Sequence, residues 1–115
     1  MKRHDPARDH DVLIDIIEHC DYIVQFVGHR NFSDYVADRS FRAAVERWLF
    51  NIGEAAKRLS DETKSKYDVD WRGVIRLRDK LGHHYDVVDH MVVWEAATQY
   101  VPDLLEKLTG KTPRR

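Results

Sequence analysis

Phe41, Ala44, Val45, Trp48, Leu49, Ile52, Ala55, Ala56 and Leu59 recur at spacings of three and four, and no proline interrupts them. This pattern predicts one long amphipathic helix with an apolar stripe along most of its length. A stripe that long must be covered by other helices or by a sheet. Gly53 is the one weak helix former in it. Glu54 lies beside the stripe rather than opposite it. A carboxylate there is either a solvated flank residue or the partner of a buried arginine such as Arg78.

The rest of the chain supplies helices, not strands. Pro6 suits a first helical turn, and Leu13, Ile16, Ile17, Cys20, Ile23, Val24 and Val27 follow at helical spacing up to Gly28. The pattern then lapses; Ser33 is expected to cap one short turn and Asp38 the long helix. Ser60 to Tyr67 reads as a turn or short helix. Asp89 can cap a last helix, with Val88, Met91, Val92, Ala96, Leu104, Leu105 and Leu108 as its apolar residues. Pro102 lies inside that helix, removes one backbone hydrogen bond and should kink it. No stretch alternates apolar and polar residues as a half-buried strand would. The expected fold is all-α: an antiparallel four-helix bundle with short additional helices, in one domain over 1–115, with a polar tail from about 110.

With 115 residues the chain has room for one core. A net charge of −1 gives no bulk argument for nucleic acid, so such a case must rest on local clustering. The lone Cys20 excludes an internal disulfide and, in line with Ile16, Ile17, Ile23 and Val24, reads as a small core residue. No apolar run reaches the roughly 20 residues of a membrane span. The start, MKRHDPARDHD, lacks the apolar core of a signal peptide. A cytoplasmic protein without membrane partners is the expectation.

The chemistry concentrates in Trp71–Tyr85, WRGVIRLRDKLGHHY. On a helix, Trp71, Val74, Ile75, Leu77 and Leu81 share a broad apolar side, and Arg72, Arg76 and Lys80 line the opposite one. Arg78 falls among the apolar residues, where an unpaired charge is costly. It therefore has a carboxylate partner, or borders a cleft or subunit contact. Arg78 and His83 are separated by about 140° on a straight helix. They converge only if the backbone breaks at Gly82 or a second copy supplies half of the site.

Other chemistries lack their motifs. The seven histidines show no HExxH-like spacing and have no cysteine pair, so no metal is expected. Five glycines form neither GxxxxGK nor GxGxxG, so no nucleotide cofactor is expected either. The Arg78–His83 pair, with Arg72, Arg76 and Lys80 around it and Tyr85 close by, suits a phosphodiester. A histidine moves a proton near neutral pH, and an arginine holds phosphate oxygens and offsets added negative charge. RNA brings its own nucleophile, the 2′-hydroxyl. Read blandly, the same stretch is a charged helix end with a surface histidine.

The segment RDKLGHHYDVVDHMVVWEA resembles the signature of the HEPN superfamily, and of its HepT-like (DUF86) toxins in particular. That signature is an arginine, four to six residues, a histidine, and often one more residue and a tyrosine; it falls on Arg78, His83 and Tyr85. AVERWLFNIGEAAKRLS (Ala44 to Ser60) is similar to a second block of the family. Trp71, Val88-Asp89, Trp94 and Pro102-Asp103-Leu104 also fit, so the resemblance spans about Phe32 to Leu105. Asp79 stands where many members have Asn, and Asp86 where many have Phe.

The resemblance implies a metal-independent endoribonuclease toxin of a type VII-like toxin–antitoxin pair. It implies a homodimer whose two motifs meet across a cleft. His83 would move the proton and Arg78 would hold the scissile phosphate; Arg72, Arg76, Lys80 and Glu54 are expected to support them on their position and charge alone. The implied partner is an MNT-type nucleotidyltransferase antitoxin, which would adenylylate Tyr85. Two rivals stay open: a non-catalytic HEPN bundle that binds a nucleotidyltransferase, and a structural helical dimer with Arg78 paired to an acid.

Overall fold

The computed structural model describes residues 4–82 and 89–111. Among them there are helices and no strand. The helices are α1 (Pro6–Val27), α2 (Phe32–Ala37), α3 (Arg39–Lys57), α4 (Asp61–Lys64), α5 (Trp71–Gly82), α6 (His90–Glu95) and α7 (Val101–Thr109). A π turn (Ala96–Tyr100) joins α6 to α7. The all-α class expected from the periodicity is the one found.

Local chemistry sets most boundaries. Pro6 opens α1 behind an Asp5 cap, and Gly28 closes it at φ 53°, a conformation costly for any residue with a Cβ. Asp38 caps α3 by accepting from the Phe41 N–H at 3.0 Å. The short turn before it is capped by Asn31, not Ser33. Asn31 accepts from the Asp34 N–H while the Asp34 carboxylate accepts from the Asn31 N–H, both at 2.9 Å. Two donors satisfied reciprocally outweigh one serine cap.

Pro102 acts one turn upstream of itself. The Val101 N–H reaches back to the Ala96 carbonyl, so the widened turn absorbs the bond that proline cannot donate. Met91 and Val92, expected in the core, are exposed, whereas Val93 and Ala97 are buried in line with Val101, Leu104 and Leu105.

α3 is the central element: it packs against α1 on one side and α5 on another, and α7 packs on α1. Ile16, Ile23, Val24, Val45, Ile52 and Ala56 fill the space between these helices. Cys20 is fully buried among them, and burial, with Asp21 nearby, pushes its thiol up to about 12. The Tyr35 ring closes one end against Phe41, Trp94 and His90. No described helix is long and apolar enough to cross a membrane.

One polar knot sits inside. Asp9, 2% exposed, accepts from Ser60 Oγ and Thr63 Oγ1, each at 2.5 Å, and from the Ser60 N–H. His4 Nδ1 lies 3.0 Å from Ser60 Oγ. The knot ties the start of α1 to the α3–α4 turn. Burial alone pushes the Asp9 carboxyl up, but the hydroxyl donors outweigh it and hold the group below its usual range.

Candidate active site

α5 begins where Asp70 accepts from the Gly73 N–H at 3.0 Å, and the Trp71 indole donates to the Lys64 carbonyl at 3.1 Å. From there the helix crosses α3 closely. A Cβ on Gly53 would collide with Arg78 Cβ and lie 3.2 Å from the Val74 carbonyl. The weak helix former in the stripe is thus a contact requirement: only glycine lets α5 come this near.

That crossing positions Arg78. Its Nε donates to Glu54 Oε1, and its Nη1 donates to Asp79 Oδ1 at 2.6 Å. Its guanidinium lies 5.4 Å from the centre of the Phe50 ring. The side chain is 18% exposed, so it is held yet still reaches the surface. The hydrogen bonds it donates to Asp79, then to Glu54, raise its pKa above the ordinary value and keep it charged. Of the two readings of Glu54, partner of Arg78 is the one observed.

The other basic residues of α5 lie elsewhere. Arg72, Arg76 and Lys80 are exposed on the far side of the helix. Arg76 lies 3.9 Å from Asp70. Arg76 and Lys80 border a groove of about 560 Å³ floored by Val74, Leu77, Val101 and Leu104, which Arg78 does not line. They do not join Arg78 in one cluster within this chain. His83 and Tyr85 lie outside the described residues.

A second, more polar groove of about 540 Å³ runs along α1 and α3 and includes His19, Arg47, Phe50, Glu54, Lys57 and Arg58. Arg47 places its guanidinium 5.3 Å from the same Phe50 ring that Arg78 uses. Neither Arg47 nor Phe50 stands out in the sequence. The available signal was the row 47, 50, 54, one flank of α3 with Glu54 at its end. Among the described residues no three His, Cys, Asp or Glu side chains converge as a metal site.

Comparison with known proteins places the chain in a family. The family model described as ribonuclease HepT-like matches residues 16–109. A protein of Methanocaldococcus jannaschii named "Putative RNase" is 36% identical over 97 residues, 84% of this chain and 80% of the relative. One of Thermococcus cleftensis named "Probable ribonuclease HepT" is 37% identical over 98 residues, 84% of this chain and 89% of the relative. A third, from Caldanaerobacter subterraneus and also named "Putative RNase", is 33% identical over 105 residues, 90% and 89% of the two chains. No solved structure matches the chain.

Proposed function

The chain belongs to the HepT-like ribonuclease family, and from that premise we propose that it is a metal-independent endoribonuclease toxin acting as a homodimer. The observation that carries this is the placement of Arg78. It is locked by Glu54, Asp79 and Phe50 at the surface, five residues ahead of His83. A preset guanidinium costs no reorganisation when a phosphodiester gains charge.

In the reaction, His83 takes the proton of the ribose 2′-hydroxyl, and O2′ attacks the adjacent phosphorus. The bond from phosphorus to the 5′-oxygen breaks, and a second His83, from the partner subunit, returns a proton to that oxygen. The products are a 2′,3′-cyclic phosphate and a free 5′-hydroxyl. Arg78 holds a non-bridging oxygen throughout. Two-fold symmetry supplies the acid and the base from one sequence position. Arg72, Arg76 and Lys80, set apart from Arg78, serve as outlying contacts to a longer strand. The natural partner is an MNT-type nucleotidyltransferase antitoxin that adenylylates Tyr85. That modification adds about one negative charge and a bulky nucleoside beside the site.

One observation favours a second reading. Two carboxylates on Arg78 also suit a plain structural ion pair in a non-catalytic bundle. Expression of the chain alone separates the two. Wild type should arrest growth while Arg78→Ala and His83→Ala do not; equal harmlessness of all three would favour the non-catalytic bundle. Intact-mass measurement with the antitoxin, ATP and Mg²⁺ should show one adenylate on wild type and none on Tyr85→Phe. Equal adenylylation of both would exclude Tyr85 as the acceptor.

A further inference from the structure

Charge at Arg78 raises a problem for any phosphate ligand. One guanidinium faces two carboxylates, Glu54 and Asp79, so the three together carry one negative charge. A phosphodiester approaching that group meets net repulsion, screened only in part at this range. Another cation must offset it.

Arg47 is the neighbour that can. It is exposed, makes no ion pair among the described residues, and shares the Phe50 ring with Arg78. Both guanidinium centres lie within 5.4 Å of one ring centre. The two guanidiniums therefore share one aromatic anchor, so a single strand that reaches one passes the other. The Phe50 ring holds the Arg47 guanidinium itself, so less freedom is lost when that group binds. Lys57 and Arg58 continue the same groove along α3, although Arg58 lies 3.5 Å from Asp15 and is partly neutralised.

We propose that Arg47 binds a backbone phosphate of a single-stranded RNA seated in the α1–α3 groove, next to the phosphate that Arg78 faces. This deepens the ribonuclease reading and rests on it for why RNA enters the groove. Phe50 is then a positioning residue that spaces the two guanidiniums, and Glu54 sets Arg78 while keeping Arg47 free.

The test uses a fluorescein-labelled, fully 2′-O-methyl single strand of about twelve nucleotides, which binds but has no 2′-hydroxyl to react. Anisotropy is read across a salt series for wild type, Arg47→Gln and Arg39→Gln. Arg39 is an exposed arginine at the start of α3, away from the groove, and controls for charge alone. Arg47→Gln should weaken binding roughly tenfold and reduce the salt slope by about 0.7, the share of one phosphate contact on a single strand. Arg39→Gln should change neither, and all three should share one unfolding midpoint. Arg47→Gln binding within twofold of wild type, an unchanged slope, or no binding by wild type would overturn the proposal. Cleavage of the unmodified strand is followed in parallel. Arg47-dependent binding without cleavage removes the nuclease reading and leaves this one; cleavage with Arg47-independent binding does the reverse.

Discussion

The Asp9 carboxylate is 2% exposed and hydrogen-bonded by hydroxyl and amide donors, with the His4 ring 3.6 Å away, whereas Arg78 keeps 18% of its side chain exposed and is held by two carboxylates. Both groups join elements distant in sequence, but the energetics differ. A buried carboxylate that accepts from three donors is desolvated once and fully compensated, so the knot contributes directly to stability. The Arg78 pairs reach solvent, where Coulomb attraction is weak and contributes little to folding. What Arg78 gains instead is a fixed direction. Comparing them separates a group that fastens the fold from one that the fold merely aims.

Arg78→Ala is the sharpest way to probe that contrast. Cleavage should fall by about a hundred- to a thousandfold, as when one preset charge-stabilising donor is removed. The thermal unfolding midpoint should barely move. A large drop in the midpoint would make Arg78 a second fastener and erase the difference.

Asp9→Ala should do the opposite. Two hydroxyls and an amide lose their buried acceptor, at a cost of about 3 kcal/mol and a fall of roughly 10 °C in the midpoint. Cleavage per folded molecule should stay near wild type. Calorimetry with a cleavage assay well below the midpoint checks both halves.

Gly53→Ala links the two behaviours. Alanine favours a helix by about 1 kcal/mol over glycine, but the new methyl meets the Cβ of Arg78, which cannot swing aside. Overpacking of this kind costs about 1–3 kcal/mol, so the net change is a modest destabilisation. Because α5 must shift, cleavage should fall as well, perturbing fold and site through one atom. A stabilised, fully active variant would contradict the close crossing.

The smallest effect is in acid. Asp9 has a folded pKa below its ordinary value of 3.8, so its contribution is complete above that value and is lost as pH falls through the lower, folded one. Arg78, raised above its ordinary value, stays charged and adds no slope there. Asp9→Asn should flatten the acid branch of the stability curve, read as the unfolding midpoint across a series of pH values.

Which of these features the sequence discloses follows from their range. The long stripe, the Gly28 stop and the Asp38 cap are local, and periodicity with capping chemistry finds them. The Glu54–Arg78 pair spans 24 residues and is one of the alternatives the sequence leaves open, because an arginine on an apolar face can be offset by a carboxylate and Glu54 stands beside the neighbouring stripe. Asp9 pairs with residues 51 and 54 positions away; its spacing to Val12 and Ile16 puts it on the buried face of α1, but nothing in the sequence points to the hydroxyls that receive it. Arg47 reads as an ordinary solvated residue until the α3–α5 crossing brings Arg78 onto the same ring. Met91 and Val92 are exposed because the buried face of α6 runs through Val93, Ala96 and Ala97, and apolar character alone does not say which side of a short helix meets the core. His83 and Tyr85 rest on the motif itself.

The most direct test of the account is end-group analysis of an RNA strand incubated in EDTA with purified wild-type protein and with folded Arg78→Ala. RNA carries its own nucleophile and the proposed chemistry needs only a proton carrier and a fixed cation. Wild type should release fragments ending in a 2′,3′-cyclic phosphate despite the chelator, and Arg78→Ala should release almost none. No cleavage by wild type, cleavage that requires an added divalent ion, or equal cleavage by both proteins would contradict it.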